Sequence, residues 1–148
     1  MPEKRAFRPW VRKSGVRDSR LIIIASEGTN TEKYYFENLV AAYFNPRIHV
    51  EVLDRIETGS DSQRVLRQLD NFRREYKIKQ KDDELWLVID VDRWRSAKLA
   101  DVARLALQKK VELAVSNPCF ELWLLLHHRD LGEYSPEILH ELHLNRKE

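Results

Sequence analysis

Four short apolar runs along the chain predict the strands of a sheet. They are Leu21–Ala25, Ile48–Leu53, Leu85–Ile89 and Val111–Val115. The first and third runs are continuously apolar, which is typical of strands buried on both faces. The second run alternates apolar and polar residues, which predicts a strand with one face less buried. The third run is expected to be the central strand.

Capping signals place a helix after each predicted strand and one more near the end of the chain. The five predicted helix starts are Thr29 with Glu32, Ser60 with Gln63, Ser96, Asn117 with Pro118, and Ser135 with Pro136. The first of these helices should run to Phe44 and the third to about Lys110. Strands that alternate with helices predict parallel βαβ units. The predicted fold class is therefore α/β, a Rossmann-like three-layer sandwich with a mostly parallel four-stranded sheet.

Composition narrows the class of protein. The chain has 148 residues, of which 43% are hydrophobic and 34% charged, which fits one globular domain with a well-solvated surface. No apolar block approaches the ~20 residues of a membrane span. The sequence near Met1 is not hydrophobic, so we do not expect a secretory signal. Cys119 is the single cysteine, so we expect no internal disulfide and a cytoplasmic location.

Positive charge is concentrated at the start of the chain. Residues 1–20 carry seven Lys or Arg against two acidic residues, whereas the remaining 128 residues carry 19 basic and 22 acidic side chains. This basic arm, with Arg12 and Lys13 near its centre, suits either a segment that binds phosphate backbones or a solubilising tail. We therefore divide the chain into the arm (1–20), the α/β domain (21–130) and a short helical extension (131–148).

Acidic residues follow three of the predicted strands. Glu27 comes just after strand one, Asp90 and Asp92 end strand three, and Glu121 lies one turn into the helix after strand four. Parallel strands end at one edge of a sheet, where open α/β folds bind ligands. If strands one and three are neighbours, Glu27 and the Asp pair should lie within a few ångströms of each other. Clustered carboxylates favour a hard cation, so the pattern predicts Mg²⁺, Mn²⁺ or Ca²⁺ rather than zinc.

Each of these residues also has a structural interpretation. Glu32 is equally suited to a capping box and to a site, and acidic residues commonly end strands. Glu121 is the one charged residue in an apolar stretch that we expect to be a mostly buried helix, where it would need a metal, an arginine or the helix N-terminus as its partner. Cys119 is expected to be a small buried residue rather than a nucleophile. The Tyr34–Phe36 cluster is expected to lie mostly in the core.

Three blocks of sequence resemble a known family. They are Ser-Glu-Gly-Thr-Asn-Thr-Glu at 26–32, Val-Ile-Asp-Val-Asp at 88–92 and Ser-Asn-Pro-Cys-Phe-Glu-Leu-Trp at 116–123. Together they resemble the RloB-like proteins, which include the AbiLii-type abortive-infection proteins, and through them the metal-binding Toprim domains. The resemblance implies a Toprim-like fold, a phage-defence or restriction-modification setting, and sometimes an ATPase partner. It also implies catalytic or metal-binding roles for Glu27, Asp90, Asp92 and Glu121.

Two function classes follow from this. The first is a Mg²⁺- or Mn²⁺-dependent phosphodiesterase acting on DNA or RNA, in which basic side chains hold the phosphate backbone; the candidates are Arg93, Arg95, Arg64, Arg67, Arg12 and Lys13. The second is a non-catalytic metal-binding subunit that assembles with an ATPase. A receiver-like phospho-acceptor domain is disfavoured, because it would require paired acids after strand one.

Overall fold

The computed structural model describes residues 19–28, 30–53, 62–79, 81–91 and 96–144, with the backbone alone for 62–66. Within these ranges the strands are β1 (Arg20–Ser26), β2 (Ile48–Val52), β3 (Glu84–Asp90) and β4 (Glu112–Ser116). They form one four-stranded sheet of order β2-β1-β3-β4 in which every pairing is parallel. The predicted α/β class, the parallel sheet and the neighbouring positions of strands one and three are confirmed.

Five α-helices accompany the sheet in the part of the chain that is described. They are α1 (Thr31–Ala42), α2 (Ser62–Glu75), α3 (Ser96–Gln108), α4 (Phe120–Leu126) and α5 (Pro136–Leu144), with a 3-10 helix at Leu131–Glu133 between the last two. Helix α2 packs against α3 on one face of the sheet. Helices α1 and α4 lie on the other face. The molecule is therefore a three-layer sandwich, consistent with a Rossmann-like or Toprim-like architecture.

The hydrophobic core lies between the sheet and the α2–α3 layer. Alternate residues of β1 and β3 point into it and are fully or almost fully buried: Leu21, Ile23, Ala25, Leu85, Leu87 and Ile89. Leu69 of α2 and Val102 of α3 close it from the helical side. The opposite sheet face is covered less completely, because α1 buries no hydrophobic residue and α4 buries only Phe120.

Two predicted helix starts are wrong. Helix α1 begins at Thr31, with Asn30 as its N-cap and no side-chain capping bond, so Glu32 sits one position too early for the expected capping box. Helix α4 begins at Phe120 with Cys119 as its N-cap, rather than at Pro118. The reason is that β4 continues to Ser116 and residues 117–119, with a cis bond between Asn117 and Pro118, form the turn.

Helix α4 and the Tyr34–Phe36 cluster are more exposed than the sequence predicts, so the expected burial of both is wrong. Helix α4 is half-exposed rather than mostly buried, with 49% of Trp123 and 44% of Leu126 accessible to solvent. In α1, Tyr34 is 65% exposed, and its neighbours Tyr35 and Phe36 are partly buried. Both segments lie on the sheet face away from the main core.

Candidate functional site

The carboxyl edge of the two central strands brings Glu27 and Asp90 together. The pairing of β1 with β3 continues one residue past the strand, because the Glu27 N–H donates to the carbonyl of Val88 at 3.2 Å. The Glu27 side chain then turns towards β3, where its Oε2 accepts a hydrogen bond from the Asp90 N–H at 3.3 Å. Both residues are buried, with 2% of Glu27 and 6% of Asp90 exposed. The predicted proximity of these two acids is therefore present.

Glu32 forms a third acidic feature of this edge, beside the turn that follows Glu27. It is the one buried residue of α1, and its carboxylate lies directly over the Cα of Gly28. A Cβ added to Gly28 would stand 1.6 Å from the Glu32 Oε2. A side chain at residue 28 would therefore force the end of the buried Glu32 side chain to move. The structure lacks the expected capping box, and Glu32 instead has a buried position against Gly28, the residue after Glu27.

A buried hydroxyl group completes the edge. Strand alternation turns Leu21, Ile23 and Ala25 towards the main core, so Ser26 points to the opposite face, the one that carries α1 and α4. Ser26 is fully buried, and its Oγ has no hydrogen-bond partner among the described residues. A buried hydroxyl costs free energy unless it is hydrogen-bonded. Ser26 is therefore available to donate to a ligand oxygen at this edge.

Glu121 does not join this edge in the way that the sequence predicted. Its side chain is exposed rather than buried, and it lines a cavity of about 550 Å³ between α4 and α5, together with Cys119, Glu137 and Glu141. Over residues 19–144, gaps excepted, no three His, Cys, Asp or Glu side chains lie close enough together to hold a metal ion. Glu121 therefore does not form such a group with Glu27 and Asp90, whereas Asp92, the fourth member of the predicted cluster, lies outside the described residues, so that its place in the cluster stays a prediction.

Cys119 is held in its thiol form by its surroundings. Burial is the main cause that raises its pKa above the usual 9.0, and the neighbouring Glu121 carboxylate, which hydrogen-bonds to the thiol, raises the pKa further. A nucleophilic cysteine requires a lowered pKa and a positively charged neighbour. The electrostatics therefore agree with the expectation that Cys119 is structural, although its side chain is only partly buried.

The predicted phosphate-binding residues lie mostly outside the described residues. This applies to Arg12, Lys13, Arg93 and Arg95, and the predicted metal ligand Asp92 also lies outside the described residues. Arg64 belongs to α2, where only the backbone is described, and Arg67 is exposed one turn further along the same helix. Their proposed contacts with nucleic acid remain predictions.

The donor atoms at the edge fit a hard divalent cation. Mg²⁺ in proteins is commonly held by one or two carboxylates, with water and substrate phosphate oxygens completing the octahedron. Glu27 and Asp90 supply carboxylates of this kind, both residues are buried, and the Glu27 carboxylate is hydrogen-bonded to the Asp90 backbone N–H. Oxygen ligands of this kind suit hard cations such as Mg²⁺ or Mn²⁺, and binding of either ion stays a prediction. The two residues that would hold the metal are therefore Glu27 and Asp90.

An apolar groove adjoins the acid pair, and the sequence did not predict it. We call it the α1–α4 groove: it has a volume of about 490 Å³, and its main lining residues are Tyr35, Phe36, Val88, Ala114, Ser116, Asn117, Phe120 and Trp123. The aromatic rings contact one another edge to face, with 5.4 Å between the centroids of Tyr35 and Phe120. The one sequence signal for it was the pairing of two aromatic-rich helices, 31–42 and 120–126.

His127 at the end of α4 fixes the open side of this groove. Its Nδ1–H donates to the Trp123 carbonyl at 2.8 Å, so that in the neutral imidazole Nε2 accepts from the Tyr35 hydroxyl at 3.1 Å. The His127 ring also packs edge-on with Trp123, at 4.8 Å between centroids. His127 thus ties α1 to α4.

Comparison with known proteins identifies the family. The model of the RloB-like proteins matches residues 22–147, which is nearly the whole chain. The chain belongs to the RloB-like family. No curated protein and no solved structure is similar enough to this RloB-like chain to count as a match. Among the described helices, none combines the length and the apolar character needed to cross a bilayer.

Proposed function

We propose that this RloB-like protein is a divalent-metal-dependent phosphodiesterase that cleaves nucleic acid in a defence- or restriction-associated system. The observation that carries the proposal is the convergence of Glu27 and Asp90 at the carboxyl edge of β1 and β3, with Glu27 hydrogen-bonded to the Asp90 backbone. Family membership suggests the defence or restriction setting. The AbiLii-type and Toprim-like assignments are part of the same proposal, supported by a parallel sheet that has acids after its first and third strands.

Each residue of the edge has a distinct role in this proposal. Asp90 and Glu27 hold Mg²⁺ or Mn²⁺, with Asp92 as a further ligand, and Glu27 alternatively accepts the proton of the attacking water. A metal bound there supplies Lewis-acid stabilisation of the scissile phosphate and a lower pKa for a bound water. The Asp90 N–H fixes the Glu27 carboxylate by hydrogen bonding to Oε2. Ser26, whose buried Oγ lacks a partner among the described residues, donates to a phosphate oxygen.

Basic side chains complete the substrate site in this proposal. Arg67 on the exposed surface of α2, together with Arg64, Arg93, Arg95, Arg12 and Lys13, would hold the phosphate backbone. These contacts position the substrate without reading its sequence. Their effect should therefore be seen in affinity and salt dependence rather than in the chemical step. The proposal places the protein in the cytoplasm, and an ATPase encoded nearby is a proposed partner.

A cleavage assay with matched variants tests the proposal. Wild-type protein should cut single- or double-stranded DNA or RNA in Mn²⁺ or Mg²⁺ and not in EDTA. Asp90→Asn and Asp92→Ala should reduce the rate by at least roughly 100-fold, because several kcal/mol of charge stabilisation are lost. The control is Asp101→Asn, which changes an exposed carboxylate on α3 that contacts Arg104. Equal activity in Asp90→Asn and Asp101→Asn protein would refute the assignment.

A second function, that of a metal-binding assembly subunit, has a separate observation in its favour. Helix α5 buries no residue, and Ile138 and Leu144 on it are 46% and 40% exposed. At the end of α1, Tyr43 and Phe44 are 78% and 77% exposed. Such side chains would favour binding to another protein if they form one contiguous patch. Metal binding without cleavage, alone or with the partner ATPase, would favour this second function.

A further inference from the structure

The α1–α4 groove has the shape and chemistry of a site for a flat, uncharged ring. Aromatic side chains from both helices form its walls, and the small side chains of Val88 and Ala114 form its floor. None of the described residues that line it carries a charge. Its volume of about 490 Å³ lies in the range of pockets that bind small organic ligands. Trp123 remains 49% exposed, so much of its indole is available to a ligand.

One end of the groove is polar and leads to the acid pair. Ser116 and Asn117 line this end, just where β4 finishes. In the strand register Ser116 is the partner of Asp90, and neighbouring strands lie about 4.8 Å apart. Strand alternation places Asp90, Ser116 and Val88 on the same face of the sheet. A ligand that fills the groove therefore has its polar end next to the proposed metal-binding carboxylates.

We propose that the α1–α4 groove binds the base of a nucleotide whose phosphate lies at the Glu27–Asp90 edge. This inference rests on the proposed function and assigns the substrate a specific orientation. The base stacks on the aromatic walls, with Trp123 as the most accessible ring. The Asn117 amide, which both donates and accepts, hydrogen-bonds to the edge of the base. Because aromatic stacking tolerates any base, the groove would hold a single-stranded segment with little sequence preference.

Continuity with the acidic edge distinguishes a nucleotide from a purely apolar occupant. A fatty acyl chain or an apolar peptide would fill the groove but would make no hydrogen bond with the side chains of Ser116 and Asn117. A nucleotide has an uncharged aromatic ring at one end and an anionic group at the other, which is the same order as the groove and the metal site. Base pairing would occupy the edge of the ring, so the base must be unpaired to enter.

The test uses a short single-stranded DNA with the fluorescent base 2-aminopurine at its centre, titrated with the full-length protein in EDTA. We expect binding to quench the fluorescence through stacking. Trp123→Ala should weaken binding by roughly 5- to 150-fold and reduce the quenching, as expected for the loss of one base–aromatic stack. Trp123→Phe should retain much of both. Phe44→Ala, which removes an exposed aromatic ring just beyond α1, serves as the control and should change neither.

A second oligonucleotide makes the result independent of the variant. The same DNA with an abasic central position, used to compete with the 2-aminopurine DNA, should bind wild-type protein more weakly by a similar factor, and should bind wild-type and Trp123→Ala protein equally. Equal affinity of wild-type protein for the abasic and the complete DNA would overturn the inference. Binding of a long-chain fatty acid, but not of the DNA, in the groove would also overturn it. Base-dependent quenching without metal-dependent cleavage would refute the proposed function alone. Cleavage without base dependence would refute this inference alone.

Discussion

The contact between Gly28 and Glu32 makes a sharp prediction about the turn that carries Glu27. A methyl group on residue 28 would lie 1.6 Å from Oε2, 2.1 Å from Cδ and 2.3 Å from Oε1 of Glu32. All three distances are far below van der Waals contact, so the entire Glu32 carboxyl group must move. That carboxylate is buried, with only 6% of the residue exposed. Gly28→Ala should therefore disturb the turn and displace a buried charge.

The size of this effect follows from the cost of overpacking. Gly28→Ala should lower the free energy of unfolding by about 1–3 kcal/mol, which corresponds to a fall in melting temperature of roughly 3–10 °C for a domain of this size. In a Glu32→Ala background the added methyl group meets no carboxylate, so the same substitution should cost much less. The double-mutant cycle should give a coupling of at least about 1 kcal/mol.

Urea unfolding followed by tryptophan fluorescence measures the four proteins of this cycle. Gly132→Ala is the control for replacing a glycine, because its nearest contact is the exposed Asp130 carboxylate at 3.3 Å. We expect that variant to differ from wild type by no more than about 0.5 kcal/mol. Additive costs for Gly28→Ala and Glu32→Ala would show that the two residues do not share this space, and would refute the geometry of the turn.

Two further predictions concern the thiol and the core. Burial and the Glu121 carboxylate raise the pKa of Cys119, so the single thiol should react with a disulfide reagent at pH 8 more slowly than a free cysteine. Glu121→Gln should lower this pKa and accelerate the reaction. An unchanged reaction rate in that variant would contradict the contact between Glu121 and the thiol. In the core, Leu87→Ala should lower the free energy of unfolding by about 2–5 kcal/mol, because Leu87 is fully buried. Leu107→Ala, at a site that is 80% exposed, should lower it by no more than about 0.5 kcal/mol. Similar losses in the two variants, measured by urea unfolding, would contradict the packing.

The sheet was predictable because its signal is local. Each strand appears in the sequence as an apolar run, and the structure extends or shifts these runs by only one or two residues, as in Leu85–Ile89 and the observed Glu84–Asp90. Helix starts were less predictable, because several residues near each start can cap. Thr29 and Glu32 have capping-box spacing, yet the helix begins after Asn30, and Glu32 instead covers Gly28.

Topology predicted part of the candidate site. Parallel strands finish at one edge, so Glu27 and Asp90 could be placed together once β1 and β3 were taken as neighbours. Glu121 could not be placed in this way, because its direction depends on the turn between β4 and α4. The α1–α4 groove was missed because it depends on how closely two helices approach over a sheet, which local patterns do not specify. Exposed Trp123 shows that an apolar stretch need not be a buried helix.

Metal binding by the two strand-end carboxylates is the central claim, and calorimetric titration with Mn²⁺ tests it most directly. The full-length wild-type protein should bind the ion, and Glu27→Gln and Asp90→Asn should each weaken binding by roughly 10- to 100-fold or abolish it, because each removes one anionic ligand. Asp101→Asn, at an exposed position of α3, should leave the binding unchanged. Wild-type protein that takes up no divalent ion, or binding that survives both substitutions at the edge, would contradict the account.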